Sequence, residues 1–197
     1  MRISGGEAKG RLIRIPAGGH VRPTTDRVRE SLFNILSTVA ETSFLDLFAG
    51  SGIVGMEALS RGAAHAVFVE KDLKVADALR ERISGFGFTG RANVISAPVH
   101  KALDILRRSG KRFDIIFADP PYNEGQAVET MHFLENGELM APAGVLILQH
   151  SAREKTGELK AVSLFLTDKR QYGETVLSFF RKEDSGGEGG QGAQAGD

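Results

Sequence analysis

The chain predicts an α/β fold: a mostly parallel sheet covered by helices on both faces and closed by a C-terminal antiparallel hairpin. An N-terminal β-hairpin and helix precede it. Three observations carry this. From residue 44 onward five apolar runs alternate with helix-like stretches, the pattern of parallel strands buried on both faces. The last two strand-like runs are separated only by Arg170–Gly173, too short for a crossover helix, so they pair antiparallel. Hydrophobic residues make up 41% of the 197 and charged residues 25%, enough apolar material for a real core.

The elements follow in order. Residues 2–15 suggest a short hairpin, with Arg2–Ser4, a Gly5-Gly6 turn, and alternating Leu12, Ile13, Arg14 and Ile15 before Pro16. From Thr25 the pattern is helical, because Val28, Leu32, Ile35 and Val39 form one apolar stripe, and Thr24 or Thr25 can cap it. Strands are expected at Phe44–Phe48, His65–Glu70, Asn93–Ser96, Phe113–Ala118 and Gly144–Gln149, with helices at about 52–60, 72–84, 99–109 and 125–135. The closing strands fall at about 162–169 and 174–181. Residues 185–197 hold six glycines in thirteen and no large apolar side chain, and are expected to form a disordered tail. The expected division is therefore 1–40, a basic hairpin and helix; 41–184, the α/β domain; and 185–197, the tail.

Charge and composition exclude several classes. Lys+Arg 25 against Asp+Glu 25 leaves no net charge, yet residues 1–30 carry seven basic side chains and three acidic ones. With no Cys, disulfides, thiolate nucleophiles and Cys-based metal sites are ruled out, which fits a reducing compartment. No apolar run approaches the roughly 20 residues that span a bilayer, and the N-terminus lacks the apolar core of a secretory signal. A cytoplasmic monomer without a membrane is the expectation. His20, His65, His100, His132 and His150 show no ligand spacing, so no metal is expected and each reads as a core or surface histidine.

In an open α/β sheet, ligands bind beyond the carboxyl ends of the strands where strand order reverses. After the first strand comes Ala49-Gly50-Ser51-Gly52-Ile53-Val54-Gly55, a G-x-G-x-x-G in which a side chain at Gly50 or Gly52 would keep a ligand from the helix N-terminus. Fifteen residues past Gly55 the second strand ends in Glu70, placed to accept hydrogen bonds from a ribose diol. Asp46 sits inside the apolar strand Phe44–Phe48, where an unpaired carboxylate costs several kcal/mol and so needs a cation or a backbone N–H. A pyrophosphate is unwelcome beside it, and an ammonium with a sulfonium is welcome, which favours S-adenosylmethionine over a dinucleotide. The fourth strand ends Asp119-Pro120-Pro121-Tyr122. Each residue before a proline is held extended, and neither proline donates an N–H. The result is a stiff edge of acceptors suited to an exocyclic amino group, with Tyr122 able to stack on its ring.

DLFAGSG (46–52) followed by DPPY (119–122) resembles the class I S-adenosylmethionine-dependent amino-methyltransferases. RPTTDRVRE from Arg22, followed by Leu32-Phe33-Asn34, is similar to the RsmD-type bacterial 16S ribosomal RNA guanine-N2 methyltransferases. The resemblance covers about residues 1–183. It implies a seven-stranded Rossmann-like methyltransferase fold and methylation of one guanine of small-subunit ribosomal RNA, free or in an assembling particle, with S-adenosylhomocysteine as product. By motif match Asp119, Pro120, Pro121 and Tyr122 would hold the guanine. Asp46, Phe48, Ala49, Gly50, Ser51, Gly52, Glu70, Lys71 and Ala97 would hold the cofactor. Arg22, Thr24, Arg27, Arg29 and Asn34 would contact RNA. Two positions depart from the family pattern: the third strand ends Ser96-Ala97, without an Asp for the adenine amino group, and the fifth ends Gln149-His150, where Glu would precede His.

Three rivals have discriminating features. A DNA amino-methyltransferase shares D-P-P-Y but usually needs a target-recognition region that this length lacks. A nicotinamide-dependent oxidoreductase shares the glycine motif but has no use for D-P-P-Y. A non-enzymatic RNA-binding module has no need of an intact cofactor pocket.

Overall fold

The computed structural model describes residues 1–13, 25–121, 125–154 and 163–182. Five parallel strands, β1 (Ser43–Leu47), β2 (His65–Glu70), β3 (Ala92–Ser96), β4 (Phe113–Ala118) and β5 (Met140–Ser151), are followed by β6 (Leu164–Tyr172) and β7 (Thr175–Lys182). The sheet order is β3-β2-β1-β4-β5-β7-β6, with β7 antiparallel to both neighbours. This is the seven-stranded arrangement that the resemblance implies, and it places the reversal of strand order between β1 and β4.

Alternation along the strands builds two cores. Phe44, Phe68, Ile115, Phe117 and Ile147 point to one face, where they meet α2 (Ile53–Ser60), α3 (Leu73–Gly85) and α1 (Asp26–Ile35). Leu45, Leu47, Val67, Val69, Ile116 and Leu148 point to the other, against α4 (Val99–Arg108) and α5 (Gln126–Leu134). Each such side chain removed from water contributes about 1.5–3 kcal/mol.

Element boundaries moved where local chemistry outweighed periodicity. Thr25 caps α1 by accepting from the Val28 N–H, but the helix ends at Ile35, and Ser37 adopts φ 57°. Val39 therefore reaches the core from a loop, not from the helical stripe in which it was expected. β5 begins four residues before the expected Gly144, and the β6–β7 hairpin is longer than expected, turning on Gly173 at φ 61°. The N-terminal hairpin is reduced to a single antiparallel bridge, Arg2 to Leu12, supported by Gly10 N–H donating to the Ile3 carbonyl at 2.8 Å. Its later residues, Arg14 and Ile15, lie outside the described residues, as does the expected tail.

A buried ionic cluster joins this N-terminal segment to α2. Glu57 is 0% exposed and meets Arg29 Nε at 3.3 Å and Arg61 Nε at 2.8 Å. It also accepts from the Ser4 backbone N–H at 2.8 Å and from Ser4 Oγ at 2.7 Å. The Arg29 guanidinium donates onward to the Arg2 carbonyl and to Asp26. Each donor offsets part of the cost of taking a carboxylate out of water.

Candidate active site

The loop after β1 is built from left-handed backbone. Phe48, Gly50 and Gly52 have φ of 63°, 51° and 74°, and α2 starts at Ile53. Glycine accepts this freely, whereas at Phe48 it costs on the order of 1–3 kcal/mol, a strain that surrounding contacts must hold. Those contacts are present: Ala49 N–H donates to the Val69 carbonyl at 2.9 Å, and Gly50 N–H to Glu70 Oε2 at 2.9 Å. The other Glu70 oxygen accepts from Asp72 N–H at 2.8 Å, so one carboxylate ties the β1–α2 loop to the β2–α3 turn.

Two glycines make room for side chains of the protein itself. A Cβ on Gly52 would lie 2.2 Å from Leu79 Cδ1, and one on Gly55 would lie 2.3 Å from Phe68 Cε1. Gly52 was expected to clear space for a ligand; what it clears is space for α3. Gly50, by contrast, does line the cavity.

Asp46 is 2% exposed, and its Oδ2 accepts the Gly55 N–H at 3.0 Å. Burial pushes its carboxyl well above the usual carboxylate range. The Gly55 hydrogen bond opposes this, and the charges of Asp119 and Glu70 add to it. Three carboxylates thus converge at the ends of β1, β2 and β4, an environment that favours a cationic ligand.

The cavity above them holds about 590 Å³, within the range of small-molecule sites. Asp119, Pro120 and Pro121 line it beside Phe48, Gly50, Glu70, Lys71 and Ala97, so five of the nine expected cofactor residues share one space with the expected target-binding edge. Asp46, Ala49, Ser51 and Gly52 are not in its walls; Asp46 lies buried beneath it, and Ser51 Oγ accepts from the Ile53 N–H at 3.4 Å. Tyr122 lies outside the described residues.

The family described as Conserved hypothetical protein 95 matches residues 1–181. Ribosomal RNA small subunit methyltransferase D of Escherichia coli strain K12 is 34% identical over 187 residues, 94% of this chain and 92% of that protein. The chain belongs to the small-subunit methyltransferase D family. Its fold agrees: the Escherichia coli protein yhhF is 34% identical and superposes with a TM-score of 0.79, covering 93% of this chain and 98% of that one. A methyltransferase structure solved with S-adenosylhomocysteine, 16% identical, shares the fold at a TM-score of 0.65 over 78% of this chain and 48% of that one.

For a methyltransferase D relative, the opposite wall of the cavity is the part that motif reading missed. Gln126, Glu129, Thr130 and Phe133 of α5 line it, as do Pro98, Val99 and His100 at the start of α4. The signal was present as an i, i+3, i+4, i+7 stripe directly after D-P-P-Y, but its mixed polarity hides it from a search for apolar faces. His100, read as a core or surface residue, is part of this wall, its ring centroid 6.1 Å from that of Phe133.

The expected RNA contacts divide. Arg27 and Asn34 are exposed on α1, while Arg22 and Thr24 lie outside the described residues. Arg29 is a correction: it is 1% exposed and committed to Glu57 and Asp26, so it has no surface to offer RNA. None of the α1 residues lines the cavity. At the departure in β5, Gln149 and His150 are buried, and His150 bonds Ser178 Oγ at 2.9 Å and the Ser151 carbonyl at 3.0 Å, a packing role within the sheet.

Proposed function

We propose that this protein transfers the methyl group of S-adenosylmethionine to the exocyclic N2 of a guanine in small-subunit ribosomal RNA, acting as a cytoplasmic monomer. The observation that supports this most is the single cavity shared by the Glu70–Gly50 cradle and the Asp119-Pro120-Pro121 edge. The RNA class follows from what its relatives are named for.

The residues present fit the cofactor. The three converging carboxylates suit its ammonium and sulfonium charges, Glu70 has lone pairs for ribose hydroxyls beyond the two N–H groups it already accepts, and Gly50 brings backbone close. When bound, S-adenosylmethionine supplies a sulfonium-activated methyl group.

The chain's own part is to present the nucleophile. A guanine amino lone pair is delocalised into the ring, and hydrogen bonds from N2–H to Asp119 and to a carbonyl of the Pro-Pro turn bias the nitrogen toward a tetrahedral, nucleophilic geometry. Pro120 and Pro121 donate nothing, so the edge rejects an acceptor such as a ring carbonyl. Most of the acceleration comes from alignment at near contact. Because guanine N2 lies inside a stack, the base must be unpaired or flipped.

The test is incubation with labelled S-adenosylmethionine and ribosomal particles from a strain lacking the protein, beside naked ribosomal RNA, followed by mass-spectrometric mapping. Label on a single guanine N2 supports the proposal. Label on an adenine or cytosine amino group, or label only on DNA supplied in a parallel reaction, overturns it.

A further inference from the structure

The end of β3 offers no side-chain acceptor to a purine amino group. Ala97 and Pro98 line the cavity there, and Pro98 has no N–H either. Ser96 does not compensate, because its Oγ accepts from Arg80 of α3, on the other face of the sheet. Across the cavity, α5 presents Glu129 and, one turn on, Phe133, whose ring lies against that of His100. Of the carboxylates in the described walls, Glu70 is tied to Gly50 and Asp72, and Asp119 belongs to the Pro-Pro edge. A purine needs a flat surface to lie on and a matched edge; the paired rings of Phe133 and His100 supply the surface, and Glu129 is the carboxylate beside it.

We infer that Glu129 reads the exocyclic amino group of the cofactor's adenine, taking from α5 the part that the β3 end lacks. It is a specificity-determining residue for the nucleoside, and this rests on the cofactor occupying the cavity with its ribose at Glu70. Replacing the amino group by a carbonyl would set oxygen against carboxylate, so the site discriminates adenosine from inosine.

The experiment is calorimetric binding of S-adenosylhomocysteine and S-inosylhomocysteine to the full chain and to Glu129→Gln, a near-isosteric change on an exposed helix position. Wild type should prefer the adenosine compound by about tenfold or more, as expected for a charge-assisted hydrogen bond. Glu129→Gln, whose carboxamide can accept from an amino group or donate to a carbonyl, should bind both within about threefold. The change at purine N1 is common to both proteins and cancels in the cycle. Retention of the wild-type ratio by Glu129→Gln overturns the inference, and a raised KM for RNA with that ratio intact assigns Glu129 to the target base instead. A wild type that binds neither compound removes the cofactor placement itself.

Discussion

Asp46 Oδ2 accepts the backbone N–H of Gly55 at 3.0 Å, across the turn that joins β1 to α2. That bond is the only favourable interaction among the causes that set this carboxyl's ionisation, and burial outweighs it. The ligand-free protein is therefore destabilised by its own site. Between the unfolded pKa of about 3.9 and the raised folded value, the folded state binds more protons than the unfolded one, so stability falls as pH rises through that window. Asp46→Asn keeps the Gly55 acceptor and removes the fall. Thermal melts from acid to neutral pH should show the variant gaining on wild type as pH rises, and parallel curves would refute this.

The same variant should bind the cofactor more weakly. A cationic ligand favours ionised Asp46, so wild-type affinity should rise with pH through that raised range, whereas Asp46→Asn should lose the slope. Titration calorimetry at a series of pH values measures both.

Glu70→Ala removes a ribose acceptor and also leaves the Gly50 and Asp72 N–H groups without theirs. Affinity for S-adenosylhomocysteine should drop about tenfold or more, and amide exchange should quicken across residues 48–52. Equal affinity for variant and wild type would count against the cradle.

Asp119→Ala should lower methyl transfer by about 10²-fold or more, the scale of a lost positioned acceptor, with S-adenosylhomocysteine affinity within a few-fold of wild type. Single-turnover assays beside calorimetry separate the two, and robust turnover would sink the assignment.

Arg29 and Arg27 should part company. Arg29→Ala strips a partner from fully buried Glu57 and should cost about 3 kcal/mol, the low end for a broken buried pair because Arg61 and Ser4 remain. Arg27→Ala, on the exposed face, should leave the melting temperature alone and reduce the salt slope of RNA binding by about one. Denaturant melts and binding at several salt concentrations check both; an unaltered slope would make Arg27 a solvated charge only.

These contrasts mark what the residue pattern could reveal. Strands such as Phe113–Ala118 and His65–Glu70 were legible because a continuous apolar run is a local signal, whereas the spatial order that puts β1 beside β4 depends on pairing between segments distant in sequence. Asp46, Glu70 and Asp119 were legible because each ends or interrupts an apolar strand. What escaped depends on partners distant in sequence. Arg29 reads as a surface base until Glu57, 28 positions later, is folded against it. Gly52 reads as a ligand clearance until Leu79 arrives from α3. The α5 wall escaped for another reason: a stripe that is half polar belongs to a cavity, and cavities leave no hydrophobic periodicity.

The Ser4–Glu57 contact spans 53 positions, which bears on how the chain is made. During synthesis residues 1–13 emerge before β1 and α2, and Ile3, Ala8 and Ile13 have no surface to pack on until those elements have followed. Glu57 in turn has nowhere dry to go until Ser4 and Arg29 close over it. This segment is thus translated ahead of the surface it packs on and settles only after that surface exists, so a nascent chain stalled before residue 57 would present a segment that proteases and chaperones can still reach.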